Sequence, residues 1–159
     1  MSKTLMIYYS LEGNTDFAAQ TAAECGDIDL ERLIPEKEPP KAGFGKFFWG
    51  GKSVVFSETP PLQPLKHSPD DYESIIIGFP VWAGSYPPAV ATFLKEHPFT
   101  GKRCSIIACS AGGNAEKAVN KLKEKLPGNE FGEVLSLKDP AKDKENSAEL
   151  IRKFTAAIE

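Results

Sequence analysis

Residues 8–20 read YYSLEGNTDFAAQ, and the junction inside this stretch decides how the rest of the chain is read. An apolar run over 5–9 leads into it and an alanine-rich pattern over 15–25 leads out, a strand and then a helix. Between them stand Ser10, Glu12, Gly13, Asn14 and Thr15, small or polar residues at the point where a helix leaves its first N–H groups unpaired. Two readings fit. In the first, Asn14 or Thr15 caps the helix after a glycine turn. In the second, Gly13 lets the backbone approach an anion, the helix N-terminus presents donors and positive dipole charge, and the side chains of Ser10, Asn14 and Thr15 add hydrogen bonds. No Lys or Arg lies in the loop, so neutral donors would neutralise the anion, which suits a monophosphate better than a triphosphate with magnesium.

Working outward, further apolar runs at 75–79, 105–109 and 134–137 have the length of strands buried on both faces. Residues 28–33 alternate more, as an edge strand does. Helical patterns lie between the runs. The helix over 15–25 ends at Gly26, placed to act as a left-handed C′ residue. Residues 87–96 begin with prolines that a first turn tolerates. Residues 114–126 put Ala115, Ala118, Val119, Leu122 and Leu126 on one stripe before Pro127-Gly128. A last helix is expected from Asn146, with Glu149 completing a capping box. Alternating strands and helices predict a single α/β domain over 1–159, its parallel sheet covered on both sides.

Residues 35–69 break the rhythm, with seven of the thirteen prolines and five of the sixteen aromatic residues. A short helix over 46–55 with extended, proline-stiffened flanks is expected there, because a structureless excursion of this length is unusual in a compact domain.

In a sheet of this kind, ligands bind beyond the carboxyl ends of the strands. Three loops should emerge at that edge: residues 10–15, 80–87 and 110–114. All are rich in Gly, Ser, Thr or Asn. Trp82 and Tyr86 flank a flexible Ala83-Gly84-Ser85, so Trp82 is either a stacking surface for a flat ligand or a core tryptophan.

Taken together, the three loops resemble those of the flavodoxin-like FMN-binding family, and the resemblance spans nearly the whole chain. It implies a three-layer fold with a five-stranded parallel sheet in the order 2-1-3-4-5, and an irregular insertion between strands 2 and 3. It implies that Ser10, Glu12 (through its backbone N–H), Gly13, Asn14 and Thr15 hold the phosphate of FMN. Pro80, Val81, Trp82, Ala83 and Gly84 would line one side of the flavin ring, and Ser110, Ala111, Gly112 and Gly113 the other. Two departures stand out. The third loop lacks the acidic and aromatic residues of many electron-carrier flavodoxins, and the chain is less acidic than those carriers. Trp49, in the insertion, could supply the missing aromatic or could pack on the sheet.

The mild net charge of −3 gives no basic footprint for nucleic acid. No stretch is long and apolar enough for a membrane span or a signal-peptide core. Cys25, Cys104 and Cys109 lack metal or redox spacing and read as reduced thiols of a cytoplasmic protein. Gly50-Gly51-Lys52-Ser53 mimics the end of a P-loop, but the first glycine would fall at Lys46. Ser110 mimics a nucleophile elbow, but His67 and His97 both precede it, so no downstream base exists. Both histidines read as solvated loop or helix-end residues, and no metal-ligand cluster is present.

The function expected is electron transfer by noncovalently bound FMN, with a redox partner protein. The alternatives are an FMN-dependent NAD(P)H:quinone-type oxidoreductase acting on a small acceptor, and a cofactor-free binding protein of the same fold.

Overall fold

The computed structural model describes residues 4–36, 60–112 and 114–159. Five strands form one parallel sheet: β1 (Thr4–Tyr8), β2 (Ile28–Arg32), β3 (Ser74–Pro80), β4 (Arg103–Ser110) and β5 (Glu130–Lys138). Their order is β2-β1-β3-β4-β5, as the resemblance implied. The helices are α1 (Asn14–Cys25), α2 (Pro88–Glu96), α3 (Glu116–Glu124) and α4 (Lys144–Ile158).

Alternation of side chains along each strand builds two cores. Leu5 and Ile7 of β1, Ile75 and Ile77 of β3 and Ile106 of β4 face α2 and α3, where Val90, Phe93, Ala118 and Leu122 meet them. Met6, Ile76, Ile107 and Leu137 face the other way, onto Ala18, Ala19 and Ala22 of α1 and Ile151 and Phe154 of α4. Burying a large aliphatic side chain contributes about 1.5–3 kcal/mol, so the central strands carry much of the stability. The alanines let α1 lie close to the sheet.

The register is even at the amino ends, where Thr4 pairs with Ile28 and Ser74, and Arg103 pairs with Ser74 and Glu130. The loops after β1, β3 and β4 therefore leave from one edge.

Several local expectations are corrected. β5 is an outer strand, and Val134 is 42% exposed rather than buried on both faces. Gly26 is extended (φ −145°, ψ 176°) rather than left-handed. A β-carbon there would lie 3.0 Å from Oε1 of the exposed Glu159 side chain, which can move aside. The capping box at Asn146 does not form: α4 starts two residues earlier, after Asp143, and Glu149 pairs with Arg152. The third helix is shorter than expected, because Asn114 Oδ1 accepts the Glu116 N–H and delays its start.

The expected helix over 46–55, Trp49 and the P-loop-like segment lie outside the described residues. The described ends of the flanks, residues 34–36 and 61–63, close on each other. Pro35 bridges Leu62, the Glu36 N–H donates to Pro61 O (2.9 Å) and the Gln63 N–H to Ile34 O (2.8 Å). His67 is not simply solvated. Its Nδ1 lies 2.9 Å from Glu31 Oε1, which also accepts the N–H groups of Lys66 and His67. These bonds satisfy the carboxylate of Glu31, 4% exposed, and hold the returning chain against β2.

Candidate functional site

A cavity of about 410 Å³ opens at the carboxyl edge. It is lined by Ser10, Leu11, Glu12, Asn14, Thr15, Pro80, Val81, Trp82, Ala83, Cys109, Ser110, Ala111 and Asp139. Each of the three loops named from the sequence contributes. Gly13, Gly84 and Gly112 are beside the cavity without lining it, and Gly113 lies outside the described residues. Leu11, Cys109 and Asp139 were not anticipated.

The first loop is fixed from several directions. Gly13 has φ 106°, a left-handed value unfavourable to any side chain, although a β-carbon there would meet nothing within 4 Å. Neither Asn14 nor Thr15 caps the helix: Gly13 is the N-cap residue, and Ser10 Oγ, three residues before it, accepts the first-turn Asp16 N–H at 3.0 Å. Asn14 reaches sideways, its Oδ1 accepting the Ala141 N–H at 3.0 Å. Behind the loop stands Arg32, from the end of β2. It donates to the Ser10 carbonyl at 3.1 Å and pairs with Asp16 at 3.6 Å. The Tyr8 hydroxyl also donates to Asp16 (2.8 Å), and burial, then this carboxylate, push the phenol up to about 12. The loop thus has a cation behind it that the local sequence does not contain. The amides of Asn14 and Thr15, in the first turn, have no intrahelical carbonyl to bond.

Two hydroxyls point to an absent partner. Thr15 Oγ1 and Ser110 Oγ are buried and have no hydrogen-bond partner. The Cys109 thiol lies beside Thr15, but sulfur is a weak partner. Burial raises that thiol to about 11, the Thr15 hydroxyl pulls against the rise, and the charge of Asp139 adds to it.

The second loop is a two-residue turn. Trp82 and Ser85 exchange N–H···O bonds of 2.9 Å each way, with Ala83 at φ 49° and Gly84 at φ 72°. Two successive positive φ values define a type I′ turn. Trp82 is half-buried, its ring edge-on to the buried Tyr9 ring at 5.6 Å and 89°. This contact fixes the indole as a wall of the cavity. Tyr86 turns instead to Phe79 and does not line the cavity.

The third loop is joined by the end of β5. The Asp139 N–H donates to the Ser110 carbonyl at 3.1 Å. Asp139 is itself left-handed (φ 38°, ψ 59°). It and Ala83 are the two non-glycine residues with positive φ among those described, and both line the cavity. Such strain persists where surrounding structure imposes it, and it gathers at ligand sites.

An open parallel sheet whose cavity sits where strand order reverses, between β1 and β3, belongs to the doubly wound α/β proteins that bind a ligand at this switch point. More narrowly, residues 3–151 match the flavodoxin family, and the chain belongs to it. Among solved structures it is similar to a putative flavoprotein from Bacteroides uniformis, with 29% identity, TM-score 0.77, and 96% of this chain and 97% of that one covered. It is also similar to a flavoprotein in complex with FMN from Lactobacillus acidophilus NCFM (23% identity, TM-score 0.70, 91% and 98% covered). A more distant likeness is to an NADPH-quinone reductase from P. pentosaceus (11% identity, TM-score 0.60, 98% of each chain covered). At these two identities the likeness is one of fold. Among the described residues no helix is long and apolar enough to cross a membrane, and no group of His, Cys, Asp and Glu could hold a metal ion.

Proposed function

We propose that this chain binds FMN noncovalently in the cavity and carries electrons between redox partners in the cytoplasm. The observation that carries the reading is the pair of buried, unpartnered hydroxyls on Thr15 and Ser110. A buried polar group without a partner costs about 1–3 kcal/mol, and a ligand that supplies acceptors recovers it. The residues fit FMN on three counts. The first loop offers neutral donors and a helix N-terminus, with Arg32 behind it, which suits a phosphate ester. Pro80, Val81 and Trp82 offer an apolar wall to a flat ring. Ser110 and Ala111 close the opposite side. Family membership and the flavoprotein relatives support the same ligand.

In this reading Ser10, Asn14, Thr15 and the amides around Gly13 hold the phosphate, the Glu12 carboxylate stays at the exposed surface, and Gly84 and Gly112 shape the ring loops. FMN supplies the redox chemistry; the chain supplies position, electrostatics and exclusion of water. Carrier function is favoured by the rim of the cavity. Ala83, Ala111 and Gly112 are exposed and small, so a partner's redox centre can approach closely. Cys25, Cys104 and Cys109 are free thiols, in keeping with a reducing compartment.

The test is to purify the protein, look for a yellow cofactor released by denaturation, and titrate the stripped chain with FMN. The stripped chain is expected to bind one FMN and quench its fluorescence. A colourless preparation that takes up no FMN overturns the proposal in favour of a cofactor-free binding protein. Mixing the loaded protein with NADPH and a quinone in a stopped-flow instrument separates the remaining roles. Slow bleaching is expected of a carrier, whereas rapid NADPH oxidation assigns an NAD(P)H:quinone oxidoreductase instead.

A further inference from the structure

Outside the cavity, α3 borders a surface groove of about 520 Å³ lined by Asn114, Glu116, Lys117, Asn120, Lys121 and Glu124. The groove meets the rim of the cavity at Lys117. That side chain lies across the Trp82–Ser85 turn: a β-carbon on Gly84 would fall 3.3 Å from Lys117 Cδ and 3.7 Å from its Nζ. An ammonium thus stands beside Ala83, one of the small exposed residues of the rim. Lys121 follows one helical turn later on the same face. Among the described residues neither lysine pairs with a carboxylate, whereas Arg32 is matched by Asp16 and Lys142 by Asp139.

Two like charges one turn apart weaken a helix, so the unmatched pair is accounted for if an anion from outside meets it. The carboxylates of the groove are engaged differently. Glu116 stands in the first turn, where it complements the helix dipole. Glu124 is about 10 Å further along the axis than Lys117 and near Tyr86, whose phenol is raised by burial and then by this charge. Asn114 Oδ1 accepts the Glu116 N–H, which leaves its amide donors for a ligand. The donors are spread along an open helix face and do not converge in a closed pocket, which suits carboxylates on a protein surface better than a nucleotide. Taking the carrier reading as its basis, we infer that Lys117 and Lys121 form the docking face for a redox partner protein whose centre is ringed by Asp and Glu. The partner's carboxylates settle on α3 and bring its redox centre against Ala83 and Ala111.

The experiment uses the full chain loaded with FMN and two kinds of probe. The first is chromium(III) hexacyanide, a paramagnetic trianion inert to electron transfer, followed by broadening of backbone amide NMR signals. It is expected to broaden Ala83, Gly84 and the residues around Lys117 and Lys121 first, and less as salt is raised. The double variant Lys117→Gln, Lys121→Gln is expected to lose this broadening, and Lys153→Gln, on α4, to keep it. The second kind is a pair of oxidants mixed with the chemically reduced protein in a stopped-flow instrument, anionic ferricyanide and cationic tris(phenanthroline)cobalt(III). Each reduced flavin gives one electron to each of two oxidant ions and releases its protons to solvent. The double variant is expected to slow ferricyanide about 3–10-fold and to leave the cobalt complex no slower. Broadening centred elsewhere, or oxidation rates unchanged in the double variant, overturns the inference while leaving the FMN site standing. One-to-one displacement of the chromium probe by micromolar NADP+ also overturns it, and assigns the lysines to a dinucleotide. A chain that takes up no FMN overturns the carrier reading itself, and this inference with it.

Discussion

The hydroxyl of Thr15 is held under the first loop at 1% exposure, with only the weakly bonding thiol of Cys109 beside it. Stability and binding make opposite demands on it. Thr15→Val keeps the shape and removes the orphaned group, so the chain without ligand should gain about 1 kcal/mol, read as a higher melting temperature. The same change removes a donor to the phosphate and should weaken FMN binding about 10–100-fold by fluorescence titration. Unaltered FMN affinity in this variant would remove Thr15 from the site. At this scale the sequence was informative where local chemistry suffices. Ser10, Asn14 and Thr15 were legible as polar groups at a helix start, but their individual partners were not. Ser10 took the capping bond expected of its neighbours, because chain direction after β1 brings its hydroxyl, rather than theirs, to the Asp16 N–H.

Among the elements, the turn at Trp82–Ser85 holds a local conflict. A type I′ turn favours Asn-Gly, since both central residues need positive φ, and here the first is an alanine at 49°. Ala83→Asn should raise stability by about 0.5–1 kcal/mol, seen as a shift in the urea midpoint with unchanged slope. A destabilised variant would show that the alanine side chain contributes packing worth more than the strain. The strands and helices were legible because buried apolar runs and the 3.6-residue period are written locally. Their ends were less so. The capping box at Asn146 gave way to a start at Lys144, and Gly26 stayed extended while its N–H closed the helix on Ala22 O.

For the molecule as a whole, four buried acids link folding to pH. Burial raises Cys104 and Cys109 from 9.0 to about 11. Tyr8 and Tyr72 rise from 10.0 to about 12, by burial first and then by hydrogen bonds to Asp16 and Asp29. Between these values the unfolded chain releases protons that the folded one keeps. Stability from these groups is therefore complete below about pH 9 and falls as pH rises toward 12. Urea midpoints measured from pH 8 to 11 should decline, most steeply above 10, and Cys109→Ala should flatten the lower part of that decline. A midpoint constant over this range would mean that the thiols and phenols are as accessible folded as unfolded.

By itself the sequence determined the succession of strands and helices and the three polar loops, since each depends on residues close together in the chain. Tertiary structure alone decided that Arg32 stands behind the first loop, that Glu31 grips the chain at His67, and that Asp139 enters the cavity. These contacts join residues far apart in sequence, and their geometry is set by strand order and register, which no local pattern encodes.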